Sequence, residues 1–379
     1  MQVQIGRALE AAIVLHPLRV SPSAAAASVD LPDRGHRVAD VLRLLGILVT
    51  VVFAIATAAL TWPSFFRVDR YFPVAQIVSF RGAVLVGFGI VLIVALLLAI
   101  ARPVRGFAAS IAIIALVGVV ANAAIIMSRG IGTDRLPEKT DTSVRVMTWN
   151  TAGDATSAQQ IAQIAVAMAA DIVTLPETTI ETGEQVALSM RDLGHRMWAY
   201  HAEYGTDGWG ARSTTILISP RLGDYAVIDS SKDGSSNTST VPSAVAMPIS
   251  GHGPIVVAAH AVAPRQQYMQ AWRDDLQWLA DQCAADDVIM AGDFNATLDH
   301  LHGLGVDDGT LGRCRDVAEA TGNGSVGTWS TDMPALLGAP IDHVMTSKNW
   351  TPTGSLVLRS LDGSGSDHRP LIVQLEPAG

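Results

Sequence analysis

Eight polar side chains in the C-terminal part of the chain have the chemistry that hydrolytic sites use. They are four carboxylates, two carboxamides and two histidines: Asn150, Glu177, His260, Asp293, Asn295, Asp342, Asp367 and His368. Carboxylate and amide oxygens suit Mg²⁺ or Mn²⁺ better than zinc. A histidine beside a carboxylate is an oriented base with a pKa near neutrality. Such a set is typical of metal-assisted hydrolysis of a phosphoester.

Each of these residues lies at one end of an apolar run with the pattern of a β-strand. The runs "SVRVMTWN", "DIVTLPET", "GPIVVAAH" and "DVIMAGDFN" carry Asn150, Glu177, His260, Asp293 and Asn295 at or near their ends. The other three residues precede or begin the runs "IDHVMTS" and "LIVQL". Strand ends in a layered α/β fold can bring side chains from distant segments to one rim. The spacing therefore predicts a single site.

The segments between these strands contain amphipathic helices. "SAQQIAQIAVAMAA" and "RQQYMQAWRDDLQWLADQC" have apolar residues at helical spacing, and the first begins with a serine that can cap a helix. Residues 143–379 are numerous enough to bury the core of one domain. We expect a single α/β domain over this range.

Six motifs in this order resemble the endonuclease/exonuclease/phosphatase superfamily, which includes pancreatic-type deoxyribonucleases, AP endonucleases and neutral sphingomyelinases. They are "VMTWN", "DIVTLPET", "AAHAV", "AGDFNA", "IDHVMTS" and "SDHRP", and the resemblance spans roughly residues 143–376. It implies a four-layered α/β sandwich, in which two packed mixed β-sheets are flanked by helices. The chain resembles a membrane-anchored, bacterial-type member of this superfamily.

The resemblance also implies a role for each candidate residue. It implies metal ligands at Asn150, Glu177 and Asp367, and catalytic residues at His260, Asp293, Asn295, Asp342 and His368. His368 would be the general base, oriented by Asp342, and His260 would contact the phosphate and protonate the leaving group. Asp293 and Asn295 would position the attacking water and the phosphate. The implied cofactor is Mg²⁺ or Mn²⁺.

The N-terminal part of the chain has the composition of a membrane anchor. The whole sequence is 49% hydrophobic and only 16% charged, which is unusual for a soluble protein. Three uncharged stretches, 44–66, 82–101 and 106–128, are each long enough to cross a bilayer. We therefore expect a disordered segment at 1–40, three transmembrane helices within 41–128, a linker at 129–142 and a catalytic domain at 143–379.

The distribution of arginines favours one membrane orientation. Arg102 and Arg105 lie in the short link "RPVRG", and further arginines precede the first span. The positive-inside rule then puts the N-terminus and this link in the cytoplasm, and the catalytic domain outside the cell membrane. Basic residues on the other side, such as Arg81 and Arg129, weaken the asymmetry. Cys283 and Cys314 form either one disulfide, in an oxidising compartment, or two separate thiols.

Charge separates the two parts of the chain and bears on the substrate. Residues 1–140 carry 13 Lys and Arg and 7 Asp and Glu, whereas residues 141–379 carry 13 and 28, a formal charge of −15. Such an acidic domain lacks the basic stripe that usually binds a nucleic-acid backbone. We therefore favour a metal-dependent phosphodiesterase or phosphatase acting on a lipid headgroup or small phosphoester beside the bilayer. The alternatives are a membrane-tethered nuclease acting on nucleic acid, and a decayed hydrolase domain that binds a partner.

Overall fold

The computed structural model describes residues 34–133, 135–205, 210–230 and 236–379. Most of the segment that we predict to be disordered, residues 1–33, lies outside this range. Residues 34–40 are helical, because the first helix, α1, begins at Arg34 and ends at Thr61. Of the smaller compact unit, Met1–Ile47, only the start of α1 is described, and all other elements belong to the unit Leu48–Gly379.

Among the described residues, three helices are long and apolar enough to span a membrane. They cover Asp40–Thr61, Arg81–Leu98 and Arg102–Arg129, close to the three predicted stretches. The first ends five residues before the predicted boundary, because Pro63 disfavours helical backbone at the residue before it. The helices of this region are α1, α2 (Val74–Ser79), α3 (Arg81–Leu98) and α4 (Arg105–Arg129).

The described part of the C-terminal domain contains two six-stranded mixed sheets. The first has the order β13-β14-β1-β2-β4-β3 and the second β11-β12-β8-β7-β6-β5. The strands of the first sheet are β1 (Val144–Thr148), β2 (Ile172–Pro176), β3 (Trp198–Glu203), β4 (Ser213–Ile218), β13 (Trp350–Val357) and β14 (Leu371–Pro377). Those of the second are β5 (Tyr225–Val227), β6 (Ala244–Pro248), β7 (Ile255–His260), β8 (Val288–Asp293), β11 (Arg315–Asp316) and β12 (Asp342–Thr346). A short pair, β9 (Leu304–Gly305) and β10 (Leu311–Gly312), lies outside both sheets.

Helices cover the outer faces of both sheets. The helices are α5 (Ala158–Ala167), α6 (Ile180–Asp192), α7 (Met269–Gln282), α8 (Leu298–Leu301) and α9 (Val317–Ala320). Ile161 and Val186, from α5 and α6, pack with Val173 of the first sheet, and Trp272 of α7 packs with Val257 of the second. A third apolar cluster fills the space between the sheets. This arrangement confirms the predicted four-layered α/β sandwich.

Described residues of the segment predicted as a linker, 129–142, contact the domain, although Arg129 itself ends α4. Thr133 donates to the carbonyl oxygen of Ser355 at 2.8 Å, and Leu136 packs against the core beneath α5 and α6. Cys283 and Cys314 are joined in a disulfide that ties the end of α7 to the chain after β10. Of the two alternatives for the cysteines, the structure has the bonded pair.

Candidate active site

The eight predicted site residues lie together at one rim of the two sheets. Five of them line an open cleft of about 580 Å³: Glu177, Asp293, Asn295, Asp367 and His368. The other three, Asn150, His260 and Asp342, are buried directly beneath its floor and contact the lining residues.

Strand pairing explains why residues so far apart in sequence meet. β7 and β8 run parallel, so their ends place His260 beside Asp293. β12 runs antiparallel to β8, so the beginning of β12 places Asp342 opposite Asp293. A residue that starts one strand thereby shares a rim with residues that end two others. The same rim receives Asn150 and Glu177 from the ends of β1 and β2 in the first sheet.

Asn150 bridges the two sheets through its side-chain amide. Its Nδ2 donates to Glu177 Oε1 at 3.0 Å and to Asp293 Oδ2 at 3.0 Å, while its Oδ1 accepts from the backbone N–H of Ala152 at 2.9 Å. In this arrangement the amide orients two carboxylates, and its oxygen already accepts one hydrogen bond. The geometry therefore gives Asn150 a positioning role beside the metal-binding role that the family resemblance implies.

Two site residues have left-handed backbone. Glu177 has φ of 57° and Asn295 has φ of 46°, a region that is costly for residues other than glycine. Asn295 is held there by its Nδ2, which donates to Ala261 O at 2.9 Å and Asp293 Oδ2 at 3.2 Å. Each turn directs the side chain into the cleft immediately after a buried strand ends.

His368 and Asp342 form a buried hydrogen-bonded pair. The Nδ1 of His368 donates to Asp342 Oδ2 at 2.8 Å. This bond leaves Nε2 directed toward the cleft, 3.8 Å from Asp293 Oδ2. Burial alone would lower the pKa of His368, but the negative charges of Asp342 and Asp293 outweigh it and raise the pKa above its usual range. His368 therefore holds its proton at neutral pH unless the nearby negative charge is neutralised.

The other two buried titratable groups shift in ways that follow from burial. Burial raises the pKa of Asp293, with a further upward contribution from Asp342, although the positive charge of His368 opposes it. Burial lowers the pKa of His260, although Glu177, whose Oε1 lies 3.8 Å from Nε2, opposes the change. A neutral His260 suits a hydrogen bond to a phosphate better than the delivery of a proton.

The donor set fits a hard divalent cation. Carboxylate oxygens of Glu177, Asp293 and Asp367 border the same cleft. Asp293, Asp342 and His368 also each present a ligand atom within 4.8 Å of the others. Asp342 Oδ1 is buried and has no hydrogen-bond partner among the described residues. Oxygen-rich surroundings of this kind suit Mg²⁺ or Mn²⁺, and they lack the thiolates of most structural zinc sites.

Trp329 is a site residue that the sequence analysis missed. Its indole Nε1 donates to Asp367 Oδ2 at 2.8 Å, which fixes a carboxylate whose side chain is 52% exposed. Its ring lines the cleft and packs against Phe80, with ring centroids 5.9 Å apart. The available signal was one tryptophan within the turn-rich stretch "GTWS", which alone predicts no function.

One wall of the cleft comes from the loop between the first two of the three long apolar helices. Phe72, Gln76, Ser79 and Phe80, on or beside α2, line the cleft together with the catalytic rim. This wall is attached to the domain, because His300 Nε2 donates to Ala75 O at 3.1 Å and Gln76 Nε2 donates to Pro264 O. The sequence analysis treated this stretch only as a connection between spans.

Comparison with known proteins identifies the family of this chain. The model of the endonuclease/exonuclease/phosphatase family matches residues 147–368, which is more than half of the chain. The chain therefore belongs to the endonuclease/exonuclease/phosphatase family, whose members are hydrolases of phosphoester bonds. This confirms the resemblance inferred from the motifs.

Several solved structures are similar to the chain at low sequence identity. An endonuclease/exonuclease/phosphatase from Beutenbergia cavernae is 18% identical, with 63% of this chain and 72% of that chain covered and a TM-score of 0.48. D. rerio TDP2 complexed with a single-strand DNA product is 18% identical, with 62% and 100% covered and a TM-score of 0.47. A conserved Enterococcus faecalis protein of unknown function is 14% identical, with 62% and 100% covered and a TM-score of 0.46. No curated protein matches the chain.

Proposed function

We propose that the protein is a membrane-anchored phosphoesterase that needs a divalent cation, Mg²⁺ or Mn²⁺. The observation that carries the proposal is the buried His368–Asp342 pair, whose free Nε2 points into a cleft bordered by Glu177 and Asp293. A phosphodiester or a phosphomonoester is the substrate, and water is the nucleophile.

The surroundings of each residue indicate its role in the reaction. His368 Nε2 accepts the proton of the attacking water, and Asp342 holds the imidazole in position and stabilises its positive charge. As the new P–O bond forms, the bond to the leaving oxygen breaks. Neutral His260 donates a hydrogen bond to a phosphoryl oxygen, and Asn295 orients the Asp293 carboxylate through the hydrogen bond from its Nδ2. The leaving oxygen takes its proton from solvent, because the cleft is open.

Glu177, Asp293 and Asp367 are the residues that would hold the cation, with Asn150 orienting the first two. A bound divalent cation would neutralise phosphate charge and polarise the P–O bonds. The same cation would offset the negative charge of Asp293 and Asp367 beside His368, whereas the charge of Asp342 would remain. Loading the site would therefore lower the pKa of His368 from its raised value and favour its action as a base.

Hydrolysis of bis(p-nitrophenyl) phosphate by the purified full-length protein tests the proposal. We expect activity with Mg²⁺ or Mn²⁺ and its loss in excess EDTA. His368→Ala should lower kcat by about 10²–10⁴-fold. Asp342→Asn should have a similar effect, and the double variant should be barely worse than either, because the pair acts as a unit.

His302→Ala is the matched control, since the His302 side chain is 42% exposed and its contact is Glu319, away from the cleft. Near-normal turnover by His368→Ala in a folded protein would remove this mechanism. Full activity in EDTA would remove the cation requirement.

Two alternative functions can be compared with the proposed phosphoesterase. A tethered nuclease is supported by the family alone, and the charge of the cleft opposes it: among the described residues that line the cleft, Arg265 is the one Lys or Arg. A decayed binding domain would have lost some of the catalytic groups, yet all eight predicted residues are present and adjacent. Inactivity toward every phosphoester, with intact cation binding, would favour that reading.

We further propose that the catalytic domain lies outside the cytoplasm. Arg81 and Arg129, which weakened the arginine asymmetry, are paired with Asp299 of the catalytic domain at 2.5 and 2.8 Å. Arg67, Arg70, Arg135 and Lys139 also lie on the domain's side of the spans, so the proposal rests on Arg102 and Arg105 in the short link and on the Cys283–Cys314 disulfide, which favours an oxidising compartment. Protease added to intact cells should remove the domain. Protection until the cells are lysed would reverse the orientation.

A further inference from the structure

The membrane-spanning helices and the catalytic domain are joined at a buried ionic contact. Asp299, four residues after Asn295, accepts hydrogen bonds from both Arg81 and Arg129. Arg81 begins α3 and Arg129 ends α4, so both helices meet the domain at the same level. A side chain at Gly82 would lie 1.9 Å from Leu336 O, which shows how closely α3 approaches the domain. These contacts hold the cleft at a fixed position along the axes of the spanning helices, which is its height relative to the membrane.

That height corresponds to the membrane interface. The loop between α1 and α3 carries exposed aromatic side chains on the catalytic side of the spans: Trp62, Phe65, Phe66, Tyr71 and Phe72. Exposed aromatic residues at the ends of membrane-spanning helices are typical of the headgroup region of a bilayer. Phe72 belongs both to this aromatic loop and to the wall of the cleft. The cleft thus opens next to the lipid headgroups.

A shallow apolar groove leads from the cleft toward the lipid-facing side of α3. It is lined by Gln76, Ile77, Phe80, Ala83 and Val84, and it shares Gln76 and Phe80 with the cleft. Ala83 and Val84 lie inside the second membrane span. Hydrocarbon in this groove would remain in contact with the bilayer while a phosphate reached the catalytic residues.

We propose that the substrate is a membrane lipid phosphoester, with its phosphate in the cleft and a hydrocarbon chain in the α2–α3 groove just described. This proposal rests on the phosphoesterase function proposed above. It names the bilayer as the source of the substrate, and it explains why a loop between two spans forms a wall of the active site. A soluble phosphoester would need neither the groove nor its continuity with α3.

A series of alkyl phosphates, from ethyl to decyl phosphate, tests the groove without knowledge of the natural headgroup. Each is used as a competitor of bis(p-nitrophenyl) phosphate hydrolysis by the full-length protein in lipid nanodiscs, and its binding is measured by calorimetry. We expect the inhibition constant to fall with chain length, by about two- to fourfold per methylene, where fourfold corresponds to full burial. Ala83→Phe, which fills the groove, should end this gain at a shorter chain.

Ile77→Ser and Ile131→Ser form a matched pair. The two isoleucines are 41% and 42% exposed, and both lie just outside a span on the catalytic side, but only Ile77 lines the groove. Ile77→Ser should weaken the binding of decyl phosphate by about fivefold or more and leave the binding of ethyl phosphate nearly unchanged. In Ile131→Ser, the inhibition constant should depend on chain length as steeply as it does in the unaltered protein.

Affinity that is independent of chain length in the unaltered protein would overturn the proposal, and so would an equal loss in both isoleucine variants. Absence of hydrolysis with Mg²⁺ or Mn²⁺ would instead contradict the phosphoesterase function. In that case the calorimetric chain-length dependence still decides whether the groove binds lipid.

Discussion

Replacing Asp299 by asparagine should lower the free energy of unfolding far more than the same substitution at an exposed aspartate. Asp299 accepts from Arg81 at 2.9 and 2.5 Å and from Arg129 at 3.0 and 2.8 Å. The three side chains are only 6%, 8% and 12% exposed. Asparagine offers one acceptor and no charge, so two guanidinium groups remain buried without a counter-ion. Breaking a buried ion pair in this way typically costs about 3–5 kcal/mol.

The assay is chemical denaturation of the purified full-length protein in a mild detergent, followed by tryptophan fluorescence. Asp307→Asn is the control, because its pair with Arg313 joins side chains that are 72% and 57% exposed. A pair of that kind contributes at most about 1 kcal/mol. Equal shifts of the unfolding midpoint in the two variants would refute the idea that Asp299 fastens the domain to the spans.

The same contact has a pH dependence with a definite sign. Burial by itself would raise the pKa of Asp299, but the charges and hydrogen bonds of Arg129 and Arg81 lower it below its ordinary value. The stabilisation is therefore complete above the pKa of an unfolded aspartate, about 4, and is lost as the pH falls through the lower folded value. The difference in free energy of unfolding between the unaltered protein and the Asp299→Asn variant should be constant between about pH 6 and 8 and shrink only in acid.

Two further substitutions give separable outcomes. Trp329→Phe keeps a ring against Phe80 but removes the N–H that binds Asp367, so kcat for a soluble diester should fall roughly five- to tenfold. The unfolding midpoint should hardly move, and an unchanged kcat would deny Trp329 its positioning role. Joint replacement of Cys283 and Cys314 by serine opens a bridge across 31 residues and should cost about 3–4 kcal/mol in the same denaturation assay. A loss below about 1 kcal/mol would mean that the bridge constrains the unfolded chain little.

Local patterns were enough to predict the strands that carry the site residues, whereas β3, β5, β6 and β13 have no counterpart among the predicted runs. Alternating apolar residues mark β1, and the short apolar runs before Asp293 and after Asp342 mark β8 and β12. Ser157 caps α5 by accepting from the backbone of Gln160, as its place before an amphipathic run predicts. That Asp342 faces Asp293 depends on the antiparallel pairing of β12 with β8, which the sequence does not encode locally. The family resemblance implied only that Asp342 orients His368.

The contacts between residues 62–81 and the catalytic domain could not be predicted, because they join segments far apart in the sequence. Arg81 meets Asp299 218 residues away, and Phe80 meets Trp329 even farther along the sequence. From the sequence alone, Arg81 was only a basic residue on the wrong side of a span. The residues 62–80 contain no catalytic side chain, so nothing in their types marks them as a wall of the cleft.

The salt dependence of nucleic-acid binding distinguishes a lipid phosphoester substrate from a nucleic-acid substrate. Each phosphate neutralised by a basic side chain on a single strand adds about −0.7 to the slope of log K against log salt. Among the described residues lining the cleft, Arg265 is the one basic Lys or Arg, so we expect weak oligonucleotide binding with a slope near −0.7. Arg265→Ala should bring the slope close to zero. Fluorescence anisotropy of a labelled single strand, measured from low to moderate salt, gives the slope directly. A value of about −3 or steeper would require a basic track of several residues, and a nuclease would then become the better description of this acidic domain.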